Sequence, residues 1–149
     1  MQLRARMYPP LWFLLFAAAA WLIAQWPLAG YEPVRQPWLI AALAAAAVLL
    51  AGTAVGLFRV ARTTVDPFGE SAALVTNGPY RFTRNPMYLA MLLALTAWVV
   101  WLAHPFPPLL IPLFIRVITT RQIHLEEQRL RRLFGVEYDD YCCRTRRWI

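Results

Sequence analysis

Residues 36–58, QPWLIAALAAAAVLLAGTAVGLF, run without a charged side chain, and the reading of this stretch decides the fold. At 1.5 Å per residue a helix of this length reaches about 35 Å, enough to cross a hydrocarbon core of about 30 Å. Pro37 suits its first turn, where a backbone N–H would lack a partner anyway. Gly52 and Gly56, four apart, allow close helix packing. Packing within the chain is the expected use, with a homodimer through the same glycines as the other.

Working outward, residues 7–31 form a second charge-free run that opens at Pro9-Pro10 and is separated from the first by a brief loop with Glu32 and Arg35. A secretory signal begins in a similar way. This run is longer than a signal's apolar region and has no clear cleavage site before a soluble domain, so it reads as a retained span. Residues 86–103 make a third span, and His104-Pro105-Phe106-Pro107-Pro108 reads as a tight reversal with His104 a plain loop residue. A fourth apolar run, 109–115, is short and holds Pro112, which predicts a kinked helix that passes Arg116 and continues beyond the bilayer. The expected fold is an all-α integral membrane helical bundle of about four transmembrane helices plus a cytosolic C-terminal helix. Residues 1–149 form one membrane domain, divided into a first helical hairpin (1–58) and a part (59–149) holding a loop, a second hairpin and the C-terminal helix.

Composition agrees with this reading. The chain is 60% hydrophobic with a mean hydropathy of +0.44, too apolar for an ordinary soluble domain. A net charge of +7 from 15 basic residues, all Arg, would suit nucleic acid if it formed one basic face. The arginines instead flank the apolar runs, so nucleic acid is not an expected partner. With the N-terminus inside, only Arg35 falls outside, which puts both termini in the cytosol. Abundant Ala and Pro beside Arg without Lys fit a bacterial inner membrane. Cys142 and Cys143 are adjacent and lack zinc or disulfide spacing, so no metal site is expected and both read as reduced thiols.

The chemistry-bearing residues lie between the apolar runs. The connection from Arg59 to Arg84, with Arg62, Asp66, Pro67, Gly69 and Glu70, is a candidate binding loop. It ends in Asn77-Gly78-Pro79, a turn signal, and then Tyr80, Arg81, Arg84 and Tyr88 form a cationic, aromatic ledge around Pro86, which opens the third span. An interfacial anchor would have the same composition. Downstream, Ile123, Leu130, Leu133 and Phe134 form a helical stripe on which Glu126 falls. A carboxylate facing an apolar side needs a cationic or hydrogen-bonding partner. Arg129 or a loop Arg would serve that structural need. Glu127 is expected to be exposed and paired with Arg131 four residues on. Gly135 is a helix stop, and Tyr138, Tyr141, Arg144, Arg146, Arg147 and Trp148 read as an interfacial tail.

The ordered set Leu74-Val75-Thr76-Asn77-Gly78-Pro79-Tyr80, Arg84-Asn85-Pro86-Met87-Tyr88, Glu126-Glu127 and Phe134-Gly135-x-x-Tyr138-x-x-Tyr141 resembles the isoprenylcysteine carboxyl methyltransferases and their phospholipid methyltransferase relatives. The resemblance covers the C-terminal half; the first two spans carry no diagnostic residue. It implies S-adenosylmethionine held on the cytosolic side and a lipophilic, membrane-borne acceptor entering from lipid. That acceptor is a prenylcysteine-like or isoprenoid carboxylate, or an amino lipid. It also implies that Leu74, Val75, Tyr80, Asn85, Pro86, Met87, Tyr88 and Glu126 contact the cofactor. Arg84 and Arg121 are read from their charge as the candidate catalytic residues, either of which would orient an anionic acceptor. Asn85 stands where the family often has His, and a family acceptor-binding Arg falls near Gln122, beside Arg121. Membrane sterol reductases, which bind NADPH, have a related pattern and are one alternative. A helical membrane subunit without catalysis is another.

Overall fold

Proline positions mark where the helices begin. In this computed structural model, which describes residues 7–61 and 73–149, α1 (Pro9–Ala24), α2 (Pro37–Val60) and α3 (Pro86–Leu102) each have Pro in the first turn. Three further helices follow: α4 (Leu110–Ile118), α5 (His124–Phe134) and α6 (Val136–Arg144). Extended pairing among the described residues is one isolated parallel bridge between Thr83 and Arg146. The candidate loop residues Arg62, Asp66, Pro67, Gly69 and Glu70, and Arg4 and Arg6 at the N-terminus, lie outside the described residues.

Helix lengths single out one clear span. Among the described residues α2, with 24 residues, is the one helix long and apolar enough to cross a membrane. The first apolar run is helical only to Ala24, and α1 and α3, of 16 and 17 residues, reach about 24 and 26 Å. Pro112 is the third residue of α4, inside the first turn, where a missing N–H breaks no helical bond. The irregularity comes later, as a π-turn over Thr119–Ile123 that joins α4 to α5.

Of the packing, α3 is the centre, in contact with α2, α1 and α4. Buried Ala47 and Ala54, seven apart on α2, let that helix approach closely. The expected intramolecular use of Gly52 and Gly56 is not what the structure has: a Cβ added at either would meet nothing within 4 Å. Phe16, Tyr88, Leu95, Phe114, Ile118 and Ile123 form the core, with Phe16 edge-on to Phe114 at 5.3 Å between ring centroids. Trp98 Nε1 donates to the Ala17 carbonyl at 3.0 Å, tying α3 to α1.

His104 is more than a loop residue. It is buried, its Nε2 lies 3.2 Å from the Trp26 carbonyl, and its Nδ1 accepts from the Phe106 N–H, an arrangement that fits the neutral Nε2–H tautomer. Arg35 sits over the Trp101 ring at 5.3 Å. The α1–α2 and α3–α4 connections thus meet at one end of the molecule. The start of α1, the end of α2 and the start of α3 gather at the other, where the polar motifs lie.

Candidate functional site

Gly78 opens the motif turn. Its φ of +59° is open to glycine at little energetic cost, and a Cβ there would come within 2.8 Å of Leu57 Cδ1. The 3₁₀ turn Gly78–Arg81 that follows buries Tyr80, whose ring meets Phe58 of α2 edge-on at 5.6 Å. Pro86 then starts α3, whose first turn carries Tyr88. Opposite stands α5, reached through the π-turn. At about 100° per residue, Glu126 lies about 60° to one side of the Ile123 direction and Glu127 about 40° to the other. Both carboxylates therefore face the body of the protein.

That geometry corrects the expected arrangement of Glu127. Its side chain is only 12% exposed and is held by Arg147, with Nε to Oε1 and Nη2 to Oε2 both 2.8 Å, while Arg84 Nη1 stands 3.6 Å away. Arg131 instead pairs with Asp139 at 2.7 Å in an exposed bridge between α5 and α6. Leu133, expected on the buried stripe, is 50% exposed, because α5 by then extends past the packed helices. Glu126 receives a hydrogen bond from the Tyr88 hydroxyl at 3.1 Å. Burial raises the Glu126 carboxyl above the usual range; the Tyr88 bond acts in the opposite direction, and the neighbouring Glu127 adds to the rise. Burial, with Glu126 nearby, also raises the Tyr80 phenol.

These groups enclose a cavity of about 380 Å³, within the range of small-molecule sites. Leu74, Val75, Tyr80, Arg84, Asn85, Pro86, Met87, Tyr88 and Glu126 all line it. Arg121 does not; it is exposed on the π-turn. Gln122 beside it is buried and donates to the Met7 carbonyl at 2.6 Å. The Asn85 amide donates to the Arg147 carbonyl at 2.9 Å. Arg84 Nη1 donates to Cys142 Sγ, and among the described residues its Nε is buried without a hydrogen-bond partner.

Several lining residues escaped the sequence reading. Tyr8, Pro9 and Pro10 come from the start of α1 and Phe58 from the end of α2. Tyr138 and Tyr141 line the cavity too, and the Tyr141 hydroxyl donates to the Tyr80 carbonyl at 2.7 Å. Their spacing of three, which puts both on one face of a helix, was the available signal. The residues after α6 are not a free interfacial tail. Arg84 N–H donates to the Arg146 carbonyl at 2.9 Å, Thr83 Oγ1 donates to the Arg147 carbonyl at 3.2 Å, and Trp148 packs against the core.

Comparison with known proteins adds a family. A family model described as phospholipid methyltransferase matches residues 36–137, from α2 into α6. A Haemophilus influenzae protein, described as uncharacterized, is 44% identical over 63 residues, which are 42% of this chain and all of that protein. No solved structure matches the chain.

Proposed function

Because the chain belongs to the phospholipid methyltransferase family, we propose that it transfers a methyl group from S-adenosylmethionine to a lipophilic, membrane-borne acceptor at the cavity between the motif turn, α3 and α5. Methyltransferases of this family generally use that cofactor, and the residues present fit it. The observation that carries the reading is the pairing of Glu126 with Tyr88 at the wall of a largely apolar cavity.

When bound, S-adenosylmethionine supplies an electrophilic methyl group on a positively charged sulfur. Glu126 offers the counter-charge, and Tyr80 and Tyr88 offer aromatic faces for a cation. Arg84, which lines the cavity, brings a positive charge near a carboxylate of the cofactor or an anionic group of the acceptor. Methyl transfer is an in-line displacement, so much of the catalysis is alignment of the acceptor atom behind the methyl carbon. An amine acceptor loses its proton after the new bond forms. Gln122 is occupied with Met7, and Arg121 is exposed and does not line the cavity, which favours an amino lipid over a carboxylate acceptor.

The same reading takes α1, α2, α3 and α4 as an up-and-down bundle with both termini cytosolic and the cavity at the cytosolic end. Calorimetry in detergent with S-adenosylhomocysteine and with NADPH tests the cofactor. Binding of the first is expected, weakened in Tyr88→Ala and Tyr80→Ala; binding of NADPH alone would overturn the proposal.

A further inference from the structure

Two adjacent carboxylates face one cavity from α5, which is a poor arrangement for a single cation. Ionised together they repel, and one of them would keep a proton. The structure resolves this through residues 145–148, which lie outside the family match. The Arg147 carbonyl accepts from Asn85 and Thr83, and the adjacent Arg146 carbonyl accepts from the Arg84 N–H. With its backbone fixed to the motif loop, Arg147 meets both oxygens of Glu127 in a two-pronged pair.

We propose that Arg147 is a positioning residue: by pairing with Glu127 it leaves Glu126, which among the described residues is held by the Tyr88 hydroxyl and by no ion pair, as the carboxylate offered to a cationic ligand. The proposal rests on the cofactor reading above for the identity of that ligand. Several other described groups surround the pair. Tyr88 of α3 bonds Glu126, Tyr80 of the motif turn and Arg129 of α5 are close enough to affect its charge, and Arg84 is the second cation near Glu127. Tyr138 and Tyr141 of α6, both raised by burial, and Tyr8 ahead of α1 are the other titratable lining groups among the described residues.

The test compares the affinities of S-adenosylmethionine, a sulfonium cation, and S-adenosylhomocysteine, its neutral thioether, across about pH 5 to 9. In the unaltered protein the preference for the sulfonium is expected to rise once with pH, as Glu126 ionises. In Arg147→Gln the midpoint is expected to move up by about one unit, because Glu127 then adds an uncompensated like charge. Adding Glu127→Gln should return it to the original value, and Arg147→Lys should shift it less than Arg147→Gln. A uniform loss of both affinities in Arg147→Gln without a shift in midpoint would reduce Arg147 to a structural tie and overturn the proposal. A second readout needs no ligand: melting temperatures of Arg147→Gln should fall more steeply with rising pH, and Glu127→Gln should abolish the excess. If neither ligand binds the unaltered protein, the cofactor reading fails while the melting profiles still decide the role of Arg147.

Discussion

The Tyr88–Glu126 contact, one hydrogen bond of 3.1 Å, sets the charge of the cavity. Replacing Glu126 with Gln keeps the size and a hydrogen-bond acceptor and removes the counter-charge, so affinity for the sulfonium should fall by about 1–3 kcal/mol. Calorimetry of the variant checks this, with the thioether expected to lose less. The carboxyl also makes stability depend on pH. Its folded-state pKa is raised, so the protonated form is favoured by the fold. That contribution is fully present below about pH 4.3, the unfolded value, and is lost as pH rises through the higher folded value. Glu126→Gln should flatten this part of a melting-temperature profile in detergent. Glu127→Gln should lower the melting temperature for another reason. It strands Arg147 and Arg84 beside an uncharged partner, a loss of about 1–2 kcal/mol after allowing for the exposure of Arg147.

At the scale of elements, the motif turn shows how backbone conformation and packing separate. Gly78→Ala places a Cβ near Leu57 Cδ1, the mobile end of a side chain that can rotate aside. Holding φ at +59° then accounts for most of the penalty, about 1–2 kcal/mol for a residue with a Cβ. Thermal melts should therefore show that adding Leu57→Ala restores little of the loss. Much of this element was legible: Asn77-Gly78-Pro79 announced a turn, and Pro86 announced the helix that carries Tyr88. Glu127 was misread because its pairing partner was sought four residues along the same helix. The partner is Arg147, brought back by hydrogen bonds from Thr83 and Asn85 that leave no periodic trace in sequence. Gly52 and Gly56 misled because spacing identifies a small-residue face and does not say which neighbour uses it.

For the whole molecule, alternation is the organising property. The connections around His104 and Arg35 meet at one end and the cavity lies at the other. On the proposed four-span topology, single cysteines at Arg35 and Asn77, in a chain whose Cys142 and Cys143 are replaced by Ser, should react with an impermeant thiol reagent from opposite sides of a vesicle. Labelling from the same side would rule the topology out. The apolar runs made the helical bundle legible, since charge-free stretches leave little else to form. They did not give helix lengths. Both α1 and the expected fourth span depart from their apolar runs at ends governed by loop contacts and by the π-turn.

That π-turn has a consequence for how relatives are compared. A π-turn holds one residue more than the α-turn it replaces, so α5 is clocked by about 100° relative to an uninterrupted continuation of α4. Removing a single residue from Thr119–Ile123 would swing Glu126 and Glu127 away from the cavity without changing either of them. The register of the site is therefore written in residue count. A homologue that keeps both glutamates and lacks one residue of this turn would match in identity and differ in what those glutamates face.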